Sequence, residues 1–404
     1  MPPQSDVLAD VLTAGYDFLA PPRIAFGWGR RREVGKIART LADRRAFVVC
    51  GSRTLAASGG LSEIHASLRA AQLDVVDAAN ISREPEVDDV DRLVGFLRDQ
   101  GVTAEHDLVI AVGGGSAIDL AKAAAALATN GGGESVVAYL EGVGAGLTIS
   151  KLPLPLLAMP TTGGTGSEAT KNAVISNYDP PYKKSLRSDL MVPRAVLVDP
   201  ELTIGVSRKT TAASGLDAIT QCIESYISRR ARPVARALAA EGLRRAVPAL
   251  LVAVEDPTNR PAREAMSHAA LLSGMALANS GLGVAHGVAA ALGVQARTAH
   301  GIACAFMLPI ALRANRPNCE TSMAELARAV WNEPFRNNSA AADALVERID
   351  ALCQAAGAPR RLRELNVSRE QIPALVAGSH GNSLDGNPVT LSDDQLDQIL
   401  EGAW

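Results

Sequence analysis

The 404-residue chain lacks the features that mark several classes of protein. Its formal net charge is only −3, which gives no electrostatic basis for binding nucleic acid or an anionic membrane. No apolar run approaches the roughly 18 residues that a membrane-spanning helix needs. The first residues, MPPQSDVLADVLTAGYDF, have neither the basic start nor the apolar stretch of a signal peptide. These absences predict a cytoplasmic protein without a nucleic-acid or membrane partner.

Cysteine is scarce, and its spacing excludes the usual cysteine-based sites. The chain contains no CxxC pair, and its five cysteines are scattered: Cys50, Cys222, Cys304, Cys319 and Cys353. An odd, unclustered set does not make a disulfide framework and fits a reducing compartment. We therefore expect these side chains to be small, buried, apolar residues.

Length and hydrophobic periodicity predict two domains. A chain of 404 residues exceeds one ordinary core. After an irregular arm expected over residues 1–22, short apolar runs alternate with helical patterns, which is typical of a parallel sheet with helices. The predicted strands are Ala46–Cys50, Leu73–Ala78, Asp107–Ser116, Leu154–Thr162 and Arg194–Thr203. Beyond them the sequence is rich in Ala and Leu at helical spacing, so we predict an α/β domain over residues 1–203 and an all-α domain over residues 204–404.

A glycine-rich turn is the first candidate site. The segment after the first predicted strand, CGSRTLAASG, lacks the GxGxxG fingerprint of dinucleotide-binding proteins. Glycines appear instead at Gly113–Gly115, between a buried strand and a helix, where Ser116 and Asp119 are spaced as a capping pair. Backbone N–H groups at such a helix start make a seat for a pyrophosphate. The alternative is a tight strand-to-helix turn with no ligand.

A second loop, MPTTGGTGSEATKNAV, follows another predicted strand and is dense in hydroxyl groups. The side chains that can donate to phosphate and ribose oxygens are Thr161, Thr162, Thr165 and Ser167. The residues expected to allow a ligand to approach closely are Gly163, Gly164 and Gly166. A flexible loop is the alternative, but flexible loops rarely follow a buried strand with this many hydroxyl groups.

A third group of residues has the composition of a metal site. Asp217 and Gln221 are four residues apart in a helical pattern, so both project from one face. His286 and His300 are two of the six histidines, and each is followed by glycine in apolar sequence. An aspartate with two histidines leaves an open position on a metal ion, which is the catalytic arrangement. The alternative is that each histidine is a hydrogen-bonded core residue.

Together these segments resemble the iron-containing (group III) alcohol dehydrogenase family over about residues 23–310. The resemblance is carried, in order, by FGWG, GGGSAIDLAK, PTTGGTGSE, the stretch from Lys183 to Thr203, GLDAITQCIE, GLGVAH and AHGIACAFMLP. DGNPVTLSDDQL near the C-terminus matches more weakly. The resemblance implies a homodimeric NAD(P)-dependent alcohol dehydrogenase or aldehyde reductase. It also implies an N-terminal dinucleotide-binding domain, a helical C-terminal metal and substrate domain, and a divalent ion, iron or zinc, in the cleft between them.

The resemblance also assigns residues. The pyrophosphate would be held at the glycine turn by Gly114, Gly115 and Ser116, with Asp119 in the same turn. Positions that line the cofactor match Thr161, Thr162, Thr165, Asn172 and Lys183. The metal ligands would be Asp217, His286 and His300, with Gln221 as the fourth. No side chain is identified as the general base, so a water chain or the cofactor ribose is the expected proton route.

The chain departs from the family pattern at three places. The family usually has histidine where this chain has Gln221, whose amide oxygen is a neutral and weaker donor. A further histidine is replaced by Ala290, which removes a candidate for proton relay. After the first strand, Gly51, Ser52 and Arg53 stand where many members have an acid that rejects a 2′-phosphate. The cofactor is therefore NAD or NADP, and we expect NADPH to be used at least comparably to NADH.

Three other functions remain open from the sequence. The first is a metal-independent reductase of the maleylacetate reductase type on the same scaffold, which the Gln221 change favours. The second is a lyase similar to dehydroquinate synthase. The third is a non-catalytic nucleotide-binding relative whose metal site has been lost.

Overall fold

The computed structural model describes residues 15–404, so residues 1–14 of the predicted arm lie outside the described residues. A six-stranded sheet forms the centre of the N-terminal part, with the strand order β1-β8-β5-β4-β2-β3 and every neighbouring pair parallel. Its strands are β1 (Ile24–Phe26), β2 (Arg45–Cys50), β3 (Asp74–Asn80), β4 (Asp107–Gly113), β5 (Leu156–Pro160) and β8 (Ala195–Val198). A separate antiparallel hairpin consists of β6 (Asn172–Tyr178) and β7 (Pro181–Arg187).

Helices cover both faces of the sheet, which explains why its strands are apolar runs rather than alternating patterns. The helices of this part are α1 (Val34–Ala38), α2 (Arg53–Ala57), α3 (Gly60–Ala70), α4 (Val87–Asp99) and α5 (Gly115–Thr129). Phe47 and Val49 of β2 pack in the same buried cluster as residues of α4 and α5. Ala46 and Val48, which point to the opposite face, pack with α1 and α3.

The topology places a crevice at the ends of β2 and β4. The chain leaves β2 for β3 on one side and returns to β4 on the other side of β2. Ligands of open α/β sheets bind at such a switch point, outside the carboxyl ends of the strands. Gly51 follows β2 and Gly113 ends β4, and their backbones approach so closely that a Cβ on Gly113 would lie 2.9 Å from the Cα of Gly51.

The C-terminal part of the described chain is mostly helical, which together with the parallel sheet confirms the predicted fold class. Its helices are α6 (Arg208–Ile227), α7 (Pro233–Glu255), α8 (Arg260–Ala278), α9 (Val284–Gln295), α10 (His300–Asn315), α11 (Glu320–Trp331), α12 (Asn338–Ala355), α13 (Ile372–Gly378), α14 (Asn382–Asp385) and α15 (Asp393–Gly402). None of the helices within residues 15–404 combines the length and apolarity needed to cross a membrane. The domain limits at residues 203 and 204 stay a prediction.

Three strands were not predicted from the sequence, and three glycines have surroundings other than the expected ones. The unpredicted strands are β1 and the two strands of the hairpin, β6 and β7. Gly163, Gly164 and Gly166 were expected to admit a ligand, but each lies against a C-terminal helix instead. A Cβ on Gly166 would lie 2.5 Å from the Cα of Gly274 in α8, and one on Gly164 would overlap Ser214 in α6. These glycines therefore allow the loop after β5 to pack directly against the helices.

The contact between Gly166 and Gly274 generates a prediction about stability. A methyl group at residue 274 would overlap the carbonyl group of Gly166, so Gly274→Ala should lower the free energy of unfolding by about 1–3 kcal/mol, the usual cost of overpacking. Gly95→Ala is the control, because Gly95 is an exposed helical residue with open space around it. Urea denaturation measures both, and a Gly274→Ala protein as stable as the control would contradict the close packing.

Candidate active site

A cavity of about 500 Å³ lies between the sheet part and the helical part. It is lined from both sides, and many of the residues singled out from the sequence contribute to its wall. Those residues are Gly115, Ser116, Asp119, Thr165, Asn172, Lys183, Asp217, Gln221, His286 and His300. A volume of this size is typical of a site for a small molecule or a cofactor.

The glycine turn opens α5, and its Gly115 and Ser116 line the cavity. Gly114 is the N-cap residue, with no side-chain cap, and the N–H of Ala117 already donates to its carbonyl oxygen. The N–H groups of Gly115 and Ser116 precede that bond at the positive end of the helix dipole. The turn therefore offers donors to an anion at the switch point of the sheet.

Asp119 has a different role from the predicted capping pair with Ser116, and that prediction is wrong. Its carboxylate accepts a hydrogen bond from the hydroxyl of Ser167 and another, of 3.0 Å, from the backbone N–H of Val174. Asp119 thus ties the loop after β5 and the start of the hairpin to α5. It shapes the cavity wall from α5 instead of capping that helix.

The predicted cofactor-lining threonines occupy different environments. Thr161 is buried, and its N–H donates to the carbonyl of Gly113 across 3.0 Å. Thr162 lies beside Gly114, since a Cβ on that glycine would be 3.4 Å from the Thr162 hydroxyl. Thr165 lines the cavity itself, next to Gly115. The threonines therefore extend from the sheet into the cavity.

The hairpin contributes Asn172 and Lys183 to the cavity wall. The Lys183 ammonium donates to the Glu84 carboxylate across 2.6 Å, and the Ser176 hydroxyl donates to the same carboxylate. Burial alone would raise the pKa of Glu84, but Lys183 outweighs it and holds that pKa below its usual value. Glu84 lines the cavity beside Lys183, although the sequence analysis did not single it out.

Gly51 has a structural reason to lack a side chain. A Cβ there would lie 2.6 Å from the methyl group of Ala117 in α5. The acid that many relatives have after the first strand cannot be placed at this residue without moving α5. The next residue, Ser52, caps α2 by accepting from the N–H of Leu55, and the side chain of Arg53 lies outside the described residues.

Four side chains from three helices of the C-terminal part converge beside the cavity. The carboxylate of Asp217 in α6 lies 3.3 Å from Nε2 of His286 in α9 and 3.9 Å from Nε2 of His300 in α10. The fourth is Cys304, one turn after His300, with its Sγ 3.7 Å from Nε2 of His300. One donor atom from each residue lies within 4.8 Å of the other three. Asp217, His286 and His300, three of the four residues predicted to converge, thus lie together in the structure, and the surroundings of the fourth, Gln221, are described below.

Glu224 fixes the position of His286. It lies two turns after Asp217 on α6, and its carboxylate is 2.6 Å from Nδ1 of His286. The same carboxylate accepts from the N–H of Ala285 across 2.7 Å, at the start of α9. A carboxylate that holds the far nitrogen of a histidine orients its Nε2, which is the usual support for a metal-binding imidazole.

The C-terminal Asn-Pro segment supports the same helix start. Asn387 is buried, and its amide oxygen accepts from the N–H of Val284, the first residue of α9. Its amide group also exchanges hydrogen bonds with Asn315 at the end of α10. The segment around Asn387, which resembles the family more weakly, therefore connects α9 and α10, the helices that carry His286 and His300.

Burial and neighbouring charges shift the pKa values of the two histidines in opposite directions. Burial lowers the pKa of His300 to about 4, with Lys183 and His286 acting in the same direction against the attraction of Asp217. Burial also opposes charging of His286, but Cys304, Asp217 and Glu224 outweigh it and raise its pKa well above the usual value. His300 is therefore a neutral imidazole at neutral pH, which is the form that binds metals.

Gln221 lies one turn after Asp217 and lines the cavity, but its amide group is engaged in hydrogen bonds. Its Oε1 accepts from the hydroxyl of Ser273 in α8 across 2.7 Å, and its Nε2 donates to the carbonyl of Thr165 across 3.2 Å. The side chain thus links α6, α8 and the loop after β5. Its predicted role as a metal ligand stays a prediction.

Comparison with known proteins identifies the family. The profile of the iron-containing alcohol dehydrogenases matches residues 21–200, and that of the C-terminal domain of the same family matches residues 211–404. The chain belongs to the iron-containing alcohol dehydrogenase family. It is accordingly an NAD(P)-dependent oxidoreductase of the alcohol dehydrogenase or aldehyde reductase type, as the sequence motifs predict.

Relatives match the chain over nearly their whole length. Long-chain-alcohol dehydrogenase 1 of Geobacillus thermodenitrificans is 32% identical, over 95% of both chains. The 1,3-propanediol dehydrogenase of Citrobacter freundii is 32% identical, over 96% of this chain and 99% of the relative. The solved structure of sulfoacetaldehyde reductase from Bifidobacterium kashiwanohense, in complex with NAD+, is 31% identical. It has a TM-score of 0.85 and covers 96% of this chain and 99% of the relative.

The role of Glu224 generates a prediction about metal retention. Glu224→Gln should weaken binding of Zn²⁺ by about 10- to 100-fold, the usual cost of losing the partner that orients a ligating histidine. Glu264→Gln, on the surface of α8 and paired with Arg260, is the control. Titration of metal-free protein with Zn²⁺ against a competing chelator measures both. Equal affinities in the two variants would show that Glu224 does not support a metal ligand.

Proposed function

We propose that the cavity is the active site of an alcohol dehydrogenase or aldehyde reductase that holds both a cofactor and a metal ion. The cofactor pyrophosphate would lie on Gly114, Gly115 and Ser116, at the switch point of the sheet. Asp217, His286 and His300 would hold a divalent ion, iron or zinc. The observation that carries the proposal is the convergence of these three side chains, from three helices, in a cavity that also contains the glycine turn.

The residues fit a divalent cation. The buried carboxylate of Asp217 supplies negative charge, and the imidazoles of His286 and His300 supply nitrogen donors. Because neighbouring groups raise the pKa of His286, a metal ion would bind its Nε2 by displacing a proton. The Glu224 carboxylate holds the far nitrogen of His286, so that Nε2 faces Asp217. When bound, the ion would polarise the substrate oxygen as hydride moves between the alcohol carbon and the nicotinamide. The protein would orient the two reactants in the cavity.

The relatives indicate the general chemical class of the substrate. The relatives include a long-chain-alcohol dehydrogenase, a 1,3-propanediol dehydrogenase and a sulfoacetaldehyde reductase. These compounds share a primary alcohol or an aldehyde and differ in the rest of the molecule. We therefore propose a primary alcohol or aldehyde as substrate. Use of NADPH at least comparably to NADH stays a prediction that the close packing of Gly51 supports, because that residue has no room for an acidic side chain.

The glycine turn is tested by Gly114→Val. A Cβ at this residue makes only ordinary contact with Thr162, at 3.4 Å, so the fold should tolerate the change. The valine methyl groups would occupy the space above the turn, and we expect the dissociation constant for NADH or NADPH to rise by about tenfold or more, at least about 1.4 kcal/mol. Gly95→Val on the exposed face of α4 is the control. Calorimetric affinities equal to wild type in both variants would place the cofactor elsewhere.

Metal removal tests the metal-dependent reaction. Protein stripped with a chelator should lose aldehyde-dependent oxidation of NADH or NADPH, because the substrate oxygen then lacks the ion that polarises it. Addition of Zn²⁺ or Fe²⁺ should restore the activity. Asp217→Asn should reduce metal content and activity together, while Asp189→Asn, an exposed residue paired with Lys171, should leave both unchanged. Full activity of the metal-free protein would instead favour the metal-independent reductase. Dinucleotide binding without turnover of any aldehyde or alcohol would favour a non-catalytic relative.

A further inference from the structure

We propose that the fourth protein ligand of the metal is the thiolate of Cys304 and that Gln221 is a positioning residue. The inference rests on the proposed metal site at Asp217, His286 and His300. It changes the donor set from one carboxylate, two imidazoles and an amide to one carboxylate, two imidazoles and a sulfur. No sequence motif assigns this role to Cys304, because the residue is an isolated cysteine within an apolar helical stretch.

The distances between the four donor atoms are close to those around a single ion. For bonds of about 2.0–2.3 Å, the ligand atoms of a tetrahedral zinc site lie about 3.3–3.8 Å apart. The separations here are 3.3 Å between Asp217 and His286, 3.9 Å between Asp217 and His300, and 3.7 Å between His300 and Cys304. All four donor atoms lie within 4.8 Å of one another, so small side-chain rotations bring them around one ion.

Cys304 lies on the same face of α10 as the proposed ligand His300. His300 and Cys304 are four residues apart in α10, so their side chains project from one face toward Asp217. Cys304 is completely buried and belongs to an apolar cluster formed mainly by α9, α10 and the C-terminal helices. What distinguishes it from Cys353, which is buried in another apolar cluster, is that its Sγ also lies within 4.8 Å of donor atoms of Asp217, His286 and His300.

Gln221 has a different role. Its Oε1 accepts from Ser273 and its Nε2 donates to Thr165, so both ends of the amide are held. Turning Oε1 toward a metal would break its hydrogen bond with Ser273 and would move Nε2 away from the carbonyl of Thr165, whose loss of a partner costs free energy. Gln221 therefore holds the loop after β5 against α8 and keeps Thr165 in the cavity wall.

A thiolate ligand has a consequence for metal choice. Sulfur is a soft donor and selects zinc over hard cations such as Mg²⁺ and Mn²⁺, whereas an amide oxygen suits the hard cations. With Cys304 bound as a thiolate, Asp217 and Cys304 together neutralise the charge of a divalent ion. We therefore expect the purified protein to retain Zn²⁺ in preference to Mn²⁺.

Cobalt substitution tests the proposal without using activity. Metal-free full-length protein is titrated with Co²⁺, and the near-ultraviolet absorption from charge transfer between thiolate sulfur and cobalt is recorded. Wild type should show this band. Cys304→Ser should lose it and Cys304→Ala should bind Co²⁺ more than about 100-fold more weakly, since loss of an outer partner alone costs about 10- to 100-fold. Gln221→Ala should keep the band.

Cys319→Ser is the matched control, because Cys319 is a buried cysteine at the N-cap of α11, where serine is a favourable residue. X-ray absorption of the zinc-loaded wild type adds a measurement that needs no variant, and one sulfur neighbour at about 2.3 Å is expected. Co²⁺ that binds without the sulfur band, or a band that survives Cys304→Ser, would overturn the role of Cys304. If Gln221→Ala releases Co²⁺, the fourth metal ligand is Gln221 and not Cys304. Failure of the wild type to bind Co²⁺ at all would overturn the proposed metal site itself.

Discussion

The structure depends on one buried carboxylate, that of Glu224, and on the helix that carries it. Glu224 accepts from the backbone at the start of α9 and from the His286 ring, and it is fully enclosed in the helical part. A negative charge at a helix N-terminus is stabilised by the helix dipole, and here the same charge orients an imidazole. Asp217, two turns earlier on α6, is thereby placed beside Nε2 of His286. One face of α6 thus carries both the anionic donor Asp217 and the carboxylate of Glu224 that orients the imidazole of His286.

The sheet contributes the other half of the site by topology. The order of the strands creates a crevice at the ends of β2 and β4, where the connections leave in opposite directions, and the methyl group of Ala117 lies too close to Gly51 and Gly113 for either to have a side chain. The start of α5 is therefore open to a ligand. The loop after β5 then joins this crevice to the helices, through the close contact of Gly166 with Gly274. The cavity exists because small residues let two differently built halves approach each other.

Much of this arrangement was predictable from the sequence. The buried strands ending at Cys50 and Gly113 are continuous apolar runs, and the glycine turn marks a helix start by its composition. Asp217, His286 and His300 were found because their family motifs surround them. The β6–β7 hairpin was missed because Asn172 and Lys183 sit in polar sequence with no clear alternation. The glycines of the loop after β5 were assigned to a ligand, since sequence alone does not show that Ser214 and Gly274 approach them.

Two supporting residues lay beyond sequence reasoning for the same reason. Glu224 is seven residues after Asp217, which places both on one face of α6, but only the position of α9 shows what Glu224 contacts. Cys304 follows His300 by one helical turn, yet its value as a donor depends on the approach of Asp217 from another helix. Local spacing predicts which side chains share a face. Tertiary packing decides what that face meets.

The central claim is that one cavity holds a metal on Asp217, His286 and His300 with the cofactor bound at the start of α5. Anomalous diffraction from crystals grown with Zn²⁺ and a dinucleotide tests it most directly. The account predicts an anomalous peak within about 2.0–2.3 Å of the donor atoms of these three residues. It also predicts the pyrophosphate against Gly114–Ser116 and the nicotinamide ring between the two. A zinc peak away from this cluster, or a dinucleotide outside the crevice between β2 and β4, would contradict it.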